Sequence, residues 1–168
     1  HFFALQRNRG KGSALKAGFY FARSLGFTHA IQIDADGQHD IADIAGFVQQ
    51  SQAQPEAIIC GKPVFDASAP KARVYGRKVT DFWVALETLS LRIKDGLCGF
   101  RVYPLAQIEN LLDRYFIGNR MDVDTELLVK AIELANGKKQ NVFVLSIPDY
   151  SVTPFAASFD TAQIRKEI

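Results

Sequence analysis

Short apolar runs alternate with stretches of helical spacing along most of the chain. Apolar runs near residues 28–34, 57–60, 98–103 and 142–147 predict buried strands. Between them, apolar residues at helical spacing predict helices that follow Ser13, Asp40, Pro70, Pro104 and Met121. Strands alternating with helices are typical of an α/β domain. Because a parallel pair needs a long crossover, we expect a mostly parallel, Rossmann-like sheet flanked by helices.

The helix predicted after Pro70 has two distinct faces. Its apolar positions, which share one face, are Val79, Phe82, Trp83, Leu86, Leu89 and Ile93. Its basic positions are Lys71, Arg73, Arg77 and Lys78. A solvated face is the usual explanation of such a charge run, and a rim for phosphates or anionic lipid is the functional alternative.

Local sequence signals also predict where the chain's elements begin and end. The strand-like run His1–Gln6 has no preceding loop, so we expect the N-terminal part of the domain to be missing. Gly26 suits the end of the first helix, and Asn136-Gly137 suits the end of the last one. We expect Pro148 to end the last strand, which leaves residues 149–168 as a tail.

Composition narrows the function classes. The 168 residues carry a formal net charge of +2, which argues against bulk electrostatic binding of nucleic acid. Two separated cysteines, Cys60 and Cys98, give neither a disulfide framework nor a zinc signature. No apolar run has the length of a membrane span, and no signal peptide is visible. We expect a cytoplasmic protein whose membrane association, if any, is peripheral at the inner face.

The most informative stretch is Ile31–Asp40, where an apolar run ends in carboxylates. Asp34 and Asp36 share one side of an extended backbone, and two close carboxylates repel unless a cation lies between them. Mg²⁺ and Mn²⁺ prefer such oxygen ligands, and Gln38 offers another. A polar turn at Asp36-Gly37 is the structural alternative.

Three further groups of residues have open interpretations. The turn Arg7–Ser13 lacks the spacing of a Walker A loop; its glycines form a tight turn, and Lys11 is either solvated or close to an anion. Arg101 lies inside an apolar strand, as a paired side chain or as a phosphate clamp. Asp122, Asp124 and Glu126 suit a helix first turn, and one of them is a candidate general base.

Four motifs in this order resemble family 2 inverting glycosyltransferases of the dolichol-phosphate mannosyltransferase-like group. The motifs are Asn8-Arg9-Gly10-Lys11-Gly12, Asp34-Ala35-Asp36-Gly37-Gln38-His39, Gly99-Phe100-Arg101 and Asp124-Thr125-Glu126-Leu127-Leu128. The resemblance covers residues 7 to about 148 and implies a partial GT-A domain over residues 1–148. The chain lacks the family's first two strands, and it has Lys62-Pro63 where the family often has an arginine.

The resemblance also implies roles by position. The residues implied to hold Mg²⁺ or Mn²⁺ against a donor diphosphate are Asp34, Asp36 and Gln38. Those implied to approach donor or acceptor phosphates are Asn8, Lys11, Arg77 and Arg101, and the acidic residue near the acceptor is Asp124 or Glu126. The implied partners are a nucleotide-diphosphate sugar and a polyprenyl-phosphate or other lipid-linked acceptor, as in cell-envelope biosynthesis. Nothing in the sequence excludes a homo-oligomer.

Two other functions compete with sugar transfer. One is a metal-dependent nucleotidyltransferase or phosphotransferase on a similar sheet, although the Asn8–Gly12 element fits it less well. The other is a non-catalytic module that binds a nucleotide-sugar or a lipid phosphate.

Overall fold

A computed structural model of the chain describes residues 5–35, 39–64, 71–88, 96–138 and 144–151. The helices are α1 (Lys11–Ser24), α2 (Ile44–Ala53), α3 (Lys71–Thr88), α4 (Leu105–Arg114) and α5 (Val123–Lys138). The strands are β1 (His29–Gln32), β2 (Ile58–Val64), β3 (Arg101–Pro104) and β4 (Val144–Ser151). Every predicted helix is present among the described residues, and the α/β class is confirmed.

The strands form one mixed sheet in the order β1-β3-β2-β4. β3 runs antiparallel to both of its neighbours, and only the pair of β2 with β4 is parallel among the described strands. The expectation of a mostly parallel sheet is therefore corrected, since β3 inserts between β1 and β2 in the opposite direction. β3 continues directly into α4 at Pro104, and residues 89–95 of the connection from α3 lie outside the described part.

Helices cover both faces of this sheet. Ile58 and Tyr103 point to one face, where they pack with Phe19 of α1 and with apolar residues of α4 and α5. Ile59 and Phe100 belong to the opposite face, against Phe47 of α2, whose ring stacks on Phe100 at a centroid distance of 4.0 Å. Because neighbouring residues of a strand point to opposite faces, the continuous apolar run of β2 supplies both layers.

Helix α3 exposes the face that carries its row of apolar residues. Val79, Phe82, Trp83 and Leu86 are each more than half exposed, whereas Val84 on the other side is buried. The spacing correctly predicts the helix, but the elements packed against it contact Val84 instead. Leu89 and Ile93 lie outside the described residues.

The structure moves two predicted boundaries. α5 continues through Asn136-Gly137 to Lys138, and β4 continues through Pro148 to Ser151. The pairing of β4 with β2 shifts register at this point, since Ile147 pairs with Gly61 but Tyr150 pairs with Pro63. A bulge is a position where a strand tolerates a proline, which has no N–H to donate. The predicted tail therefore begins inside a strand, and residues 152–168 lie outside the described part.

The start of the chain is described only from Leu5, and Leu5 and Gln6 are not in a strand. The expected strand over His1–Gln6 otherwise falls outside the described residues. Gly26 has a φ of 85° just after α1, which confirms it as the glycine that ends that helix.

Candidate functional site

The turn before α1 is built on close backbone packing. The Asn8 carboxamide oxygen accepts a hydrogen bond of 2.9 Å from the Gly10 N–H, and Gly10 has a φ of 92°. A Cβ on Gly12 would lie 2.5 Å from the Gly118 carbonyl oxygen, so only glycine fits there. Asn8 thus shapes the turn, and the turn holds Lys11 at the first position of α1.

Lys11 joins two carboxylates from distant parts of the chain. Its ammonium Nζ lies 2.8 Å from Asp34 Oδ1, just after β1, and 2.6 Å from Asp124 Oδ2, in the first turn of α5. Burial lowers the pKa of Lys11, but the hydrogen bonds and charges of Asp124 and Asp34 outweigh it and raise the pKa above 10.5. In this structure the Lys11 ammonium is therefore bound to two protein carboxylates.

Asp124 is held on its second oxygen from inside the protein. Gln32 Nε2 donates to Asp124 Oδ1 at 2.9 Å, and the Tyr103 hydroxyl donates to Gln32 Oε1 at 3.0 Å. Burial raises the pKa of Tyr103 well above its ordinary value, so its hydroxyl stays a donor. The Asp124 carboxylate is therefore fixed by Lys11 on its outer side and by Gln32 on its inner side.

Arg101 is fully buried and lies behind this cluster. Its guanidinium donates to the carbonyl oxygens of Cys98, Gly96 and Asp124 and, at 3.4 Å, to the Tyr103 hydroxyl. The resemblance implies that Arg101 approaches a phosphate, whereas here its donors face protein carbonyls, as in the alternative of a paired side chain. The residue therefore fixes the loop before β3 and the start of α5. Thr125 strengthens the same junction through its bond to the Gly96 carbonyl oxygen.

Asp34 lies directly against the backbone at Gly99. A Cβ on Gly99 would approach the Asp34 carboxylate oxygens to 2.0 and 2.5 Å. The motif Gly99-Phe100-Arg101 therefore begins with a glycine for steric reasons. Asp36 and Gln38, the other expected metal ligands, lie outside the described residues. Within the described ranges, no group of three or more His, Cys, Asp or Glu side chains is arranged to hold a metal ion.

The chemistry of the described donors nevertheless suits a hard cation. The Asp34 and Asp124 carboxylates converge on one ammonium, and such oxygen ligands are those that Mg²⁺ and Mn²⁺ prefer. A divalent ion at this point would have to take the place of Lys11, because the ammonium now lies between the two carboxylates.

Glu126, another expected site residue, does not join the cluster. Glu126 Oε2 accepts a hydrogen bond from the Gly118 N–H, so this carboxylate holds the loop between α4 and α5. Arg77 belongs to α3, but its side chain is outside the described part.

Sequence reasoning missed Gln32 and Tyr103. Gln32 is a polar residue among the apolar residues of β1 and is 8% exposed, so its amide needs partners inside the protein. That single polar residue was the available signal. Tyr103 gave none, since a tyrosine in a strand is unremarkable.

Comparison with known proteins gives one informative similarity. No family model matches the chain. The chain is 27% identical over 138 residues to a dolichyl-phosphate beta-glucosyltransferase of Dictyostelium discoideum. The alignment covers 77% of this chain and 41% of that protein, so the chain spans about two fifths of its relative's length. Among the described helices, none combines the length and apolarity needed to cross a bilayer. The similarity supports a relationship to the glycosyltransferases that the motifs resemble.

Proposed function

We propose that the chain is part of a metal-dependent, inverting glycosyltransferase that acts on a lipid-phosphate acceptor. One observation carries the proposal: Lys11, Asp34 and Asp124, from three of the four resembling motifs, meet within hydrogen-bonding distance. The similarity to an enzyme whose name specifies dolichyl phosphate supports the class of acceptor.

In the proposed reaction, an acceptor phosphate oxygen forms a bond to the anomeric carbon of the sugar. The bond from that carbon to the donor diphosphate breaks, and the nucleoside diphosphate leaves from the opposite face. Asp34, with Asp36 and Gln38, would hold Mg²⁺ or Mn²⁺, which when bound neutralises charge on the leaving diphosphate. Lys11 lies at the N-terminus of α1, where an ammonium and free N–H groups favour an anion.

Asp124 is the better placed of the two candidate acidic residues. It faces Lys11 and Asp34, whereas Glu126 is bonded to the Gly118 amide. A phosphate acceptor brings its own negative charge and needs no base, so Asp124 would then hold the Lys11 ammonium in place until the acceptor phosphate attracts it. A hydroxyl acceptor would need Asp124 as general base.

The exposed face of α3 fits a lipid-linked acceptor. Tyr75, Val79, Phe82, Trp83 and Leu86 recur along one side, each at least half exposed. The same helix carries Lys71, Arg73, Arg77 and Lys78. A helix with aromatic and aliphatic residues on one side and cations elsewhere suits the surface of an anionic bilayer. We propose that α3 keeps the protein peripheral to a membrane.

Sugar transfer is tested with radiolabelled UDP- and GDP-sugars, Mn²⁺ and a short polyprenyl phosphate. We expect metal-dependent formation of a glycosylated lipid, lost in Asp34→Asn and kept in Asp113→Asn, an exposed carboxylate on α4. Equal product from both variants would contradict the role of Asp34. Binding of a nucleoside diphosphate without turnover would instead favour a binding module. Release of pyrophosphate from a nucleoside triphosphate and a sugar phosphate, supplied in a separate assay, would favour a nucleotidyltransferase.

Membrane contact is tested by sedimentation with vesicles of phosphatidylglycerol and phosphatidylcholine. We expect the chain to bind the anionic vesicles and a Phe82→Ser/Trp83→Ser variant to lose most of this binding. Phe116→Ser is the control, because Phe116 is 88% exposed but lies between α4 and α5. If the control loses as much binding as the α3 variant, α3 is not the membrane contact.

A further inference from the structure

We propose that Gln32 is a positioning residue for Asp124: it keeps this carboxylate aimed at the site when Lys11 turns to a substrate phosphate. The inference rests on the proposed function. It adds a residue that none of the resembling motifs contains, on a strand that the motifs only border.

The residues around Gln32 determine which end of its amide faces Asp124. The guanidinium of Arg101 donates to the Tyr103 hydroxyl, Tyr103 donates to Gln32 Oε1, and Gln32 Nε2 donates to Asp124 Oδ1. An amide that accepts on its oxygen must present its N–H₂ group elsewhere, so Tyr103 sets which end of Gln32 faces Asp124. The chain of donors begins at a fixed cation and ends at the carboxylate.

The two partners of Asp124 differ in how readily they can leave. The Lys11 side chain is 21% exposed and also contacts Asp34, at the open side of the cluster. Gln32 is 8% exposed, and Tyr103 and Arg101 behind it are fully buried. An anion that attracts the ammonium therefore removes one partner of Asp124 and leaves the other. Arg101 also donates to the main-chain carbonyl oxygen of Asp124, which fixes the backbone of that residue.

An apolar side chain would fit β1 better if packing were the only requirement. Burying an amide costs free energy unless its donors and acceptors are satisfied, and Gln32 is satisfied only through Tyr103 and Asp124 among the bonds described for it. A role in orienting Asp124 accounts for a glutamine at this position.

The test compares Gln32→Leu, Tyr103→Phe and Asp124→Ala in the transfer assay, with Gln52→Leu, an exposed glutamine of α2, as control. We expect Gln32→Leu to lower kcat about 10- to 100-fold per folded molecule with a donor KM within about twofold, since misplaced groups cost turnover. Tyr103→Phe should lower kcat less, and the double variant Gln32→Leu/Tyr103→Phe should match Gln32→Leu. If the loss of activity in Gln32→Leu disappears once the rate is divided by the folded fraction, the substitution acts only on stability and the inference is overturned.

A second measurement separates this inference from the proposed function. In urea unfolding, Gln32→Leu and Asp124→Ala should be non-additive, because the two side chains share a bond. If Asp124→Ala is inactive while Gln32→Leu keeps its kcat, the inference fails and the proposed function stands. If the parent chain transfers no sugar, or if the two unfolding effects simply add, the inference falls; the first result also removes the proposed function, and the second leaves it intact.

Discussion

At the scale of single residues, Lys11 is the side chain on which the candidate site depends. Its single positive charge lies between two carboxylates that would otherwise face each other at short range. Removing one partner of a largely buried charge cluster costs more than the pair's net contribution, because the remaining charges stay desolvated.

We expect Lys11→Met to lower the free energy of unfolding by about 1–3 kcal/mol, measured by urea denaturation at pH 7. Lys62→Met is the matched control, because the Lys62 side chain is exposed and should change stability by under about 0.5 kcal/mol. Equal effects of the two substitutions would show that the cluster adds nothing to stability.

The raised pKa of Lys11 gives this stabilisation a defined pH dependence. A lysine whose pKa is higher in the folded than in the unfolded protein stabilises the fold fully below the unfolded value of 10.5. The contribution is lost as the pH rises through the folded pKa. The difference in unfolding free energy between the parent chain and Lys11→Met should be constant from pH 7 to about 9.5 and shrink above about 10.5. A difference that grows above that pH would contradict the pairing.

Gly99 tests the position of Asp34. An alanine there would place a Cβ 2.0 Å from the Asp34 carboxylate, so the carboxylate or the strand must move. We expect Gly99→Ala to cost about 1–3 kcal/mol by thermal or urea unfolding. The control is Gly46→Ala in α2, where a Cβ meets nothing within 4 Å and should stabilise the helix by about 0.5–1 kcal/mol. A neutral Gly99→Ala would mean that the contacts of Lys11 do not hold the Asp34 carboxylate in place against this loop.

At the scale of elements, α3 shows what periodicity can and cannot establish. The spacing of its apolar residues predicts a helix, and Lys71–Thr88 is one. The same spacing cannot show whether the protein core or a lipid bilayer covers that side, because apolar residues are favoured in both environments. The α1 turn is the opposite case: its glycines predicted a tight turn, and the backbone contacts of Gly10 and Gly12 with residues 118–119 explain why.

The exposure of α3 predicts an asymmetry in stability. Phe82→Ser/Trp83→Ser should change the free energy of unfolding by less than about 0.5 kcal/mol in the absence of lipid, since both rings are already in solvent. Val84→Ala, on the adjacent buried position, should cost about 1–2 kcal/mol. Circular dichroism during urea unfolding measures both, and a larger loss in the double variant would place that face against the protein core.

At the scale of the whole molecule, the site depends on contacts that no local pattern encodes. The motifs gave Lys11, Asp34 and Asp124 separately, and their convergence needs β1, α1 and α5 to meet at one edge of the sheet. The antiparallel insertion of β3 was not predictable, because strand order is decided by long-range packing rather than by the composition of a four-residue strand. The motif pattern links Arg101 to phosphates, and only the fold shows the three carbonyl oxygens that bind its guanidinium instead.

The position of β3 between β1 and β2 also predicts which segment of the protein is the last to unfold. β3 is hydrogen-bonded to β1 on one side and to β2 on the other, and all four of its residues are buried between the two core layers. Segments with many buried contacts exchange their amide hydrogens only through global unfolding, whereas peripheral helices open locally. We therefore expect the amides of Val102 and Tyr103 to exchange with the free energy of global unfolding. Those of Phe82 and Trp83 should exchange at least tenfold faster, as measured by hydrogen exchange with NMR detection. If β3 exchanges as fast as α3, the buried chain from Arg101 to Asp124 is not the rigid support that the site requires.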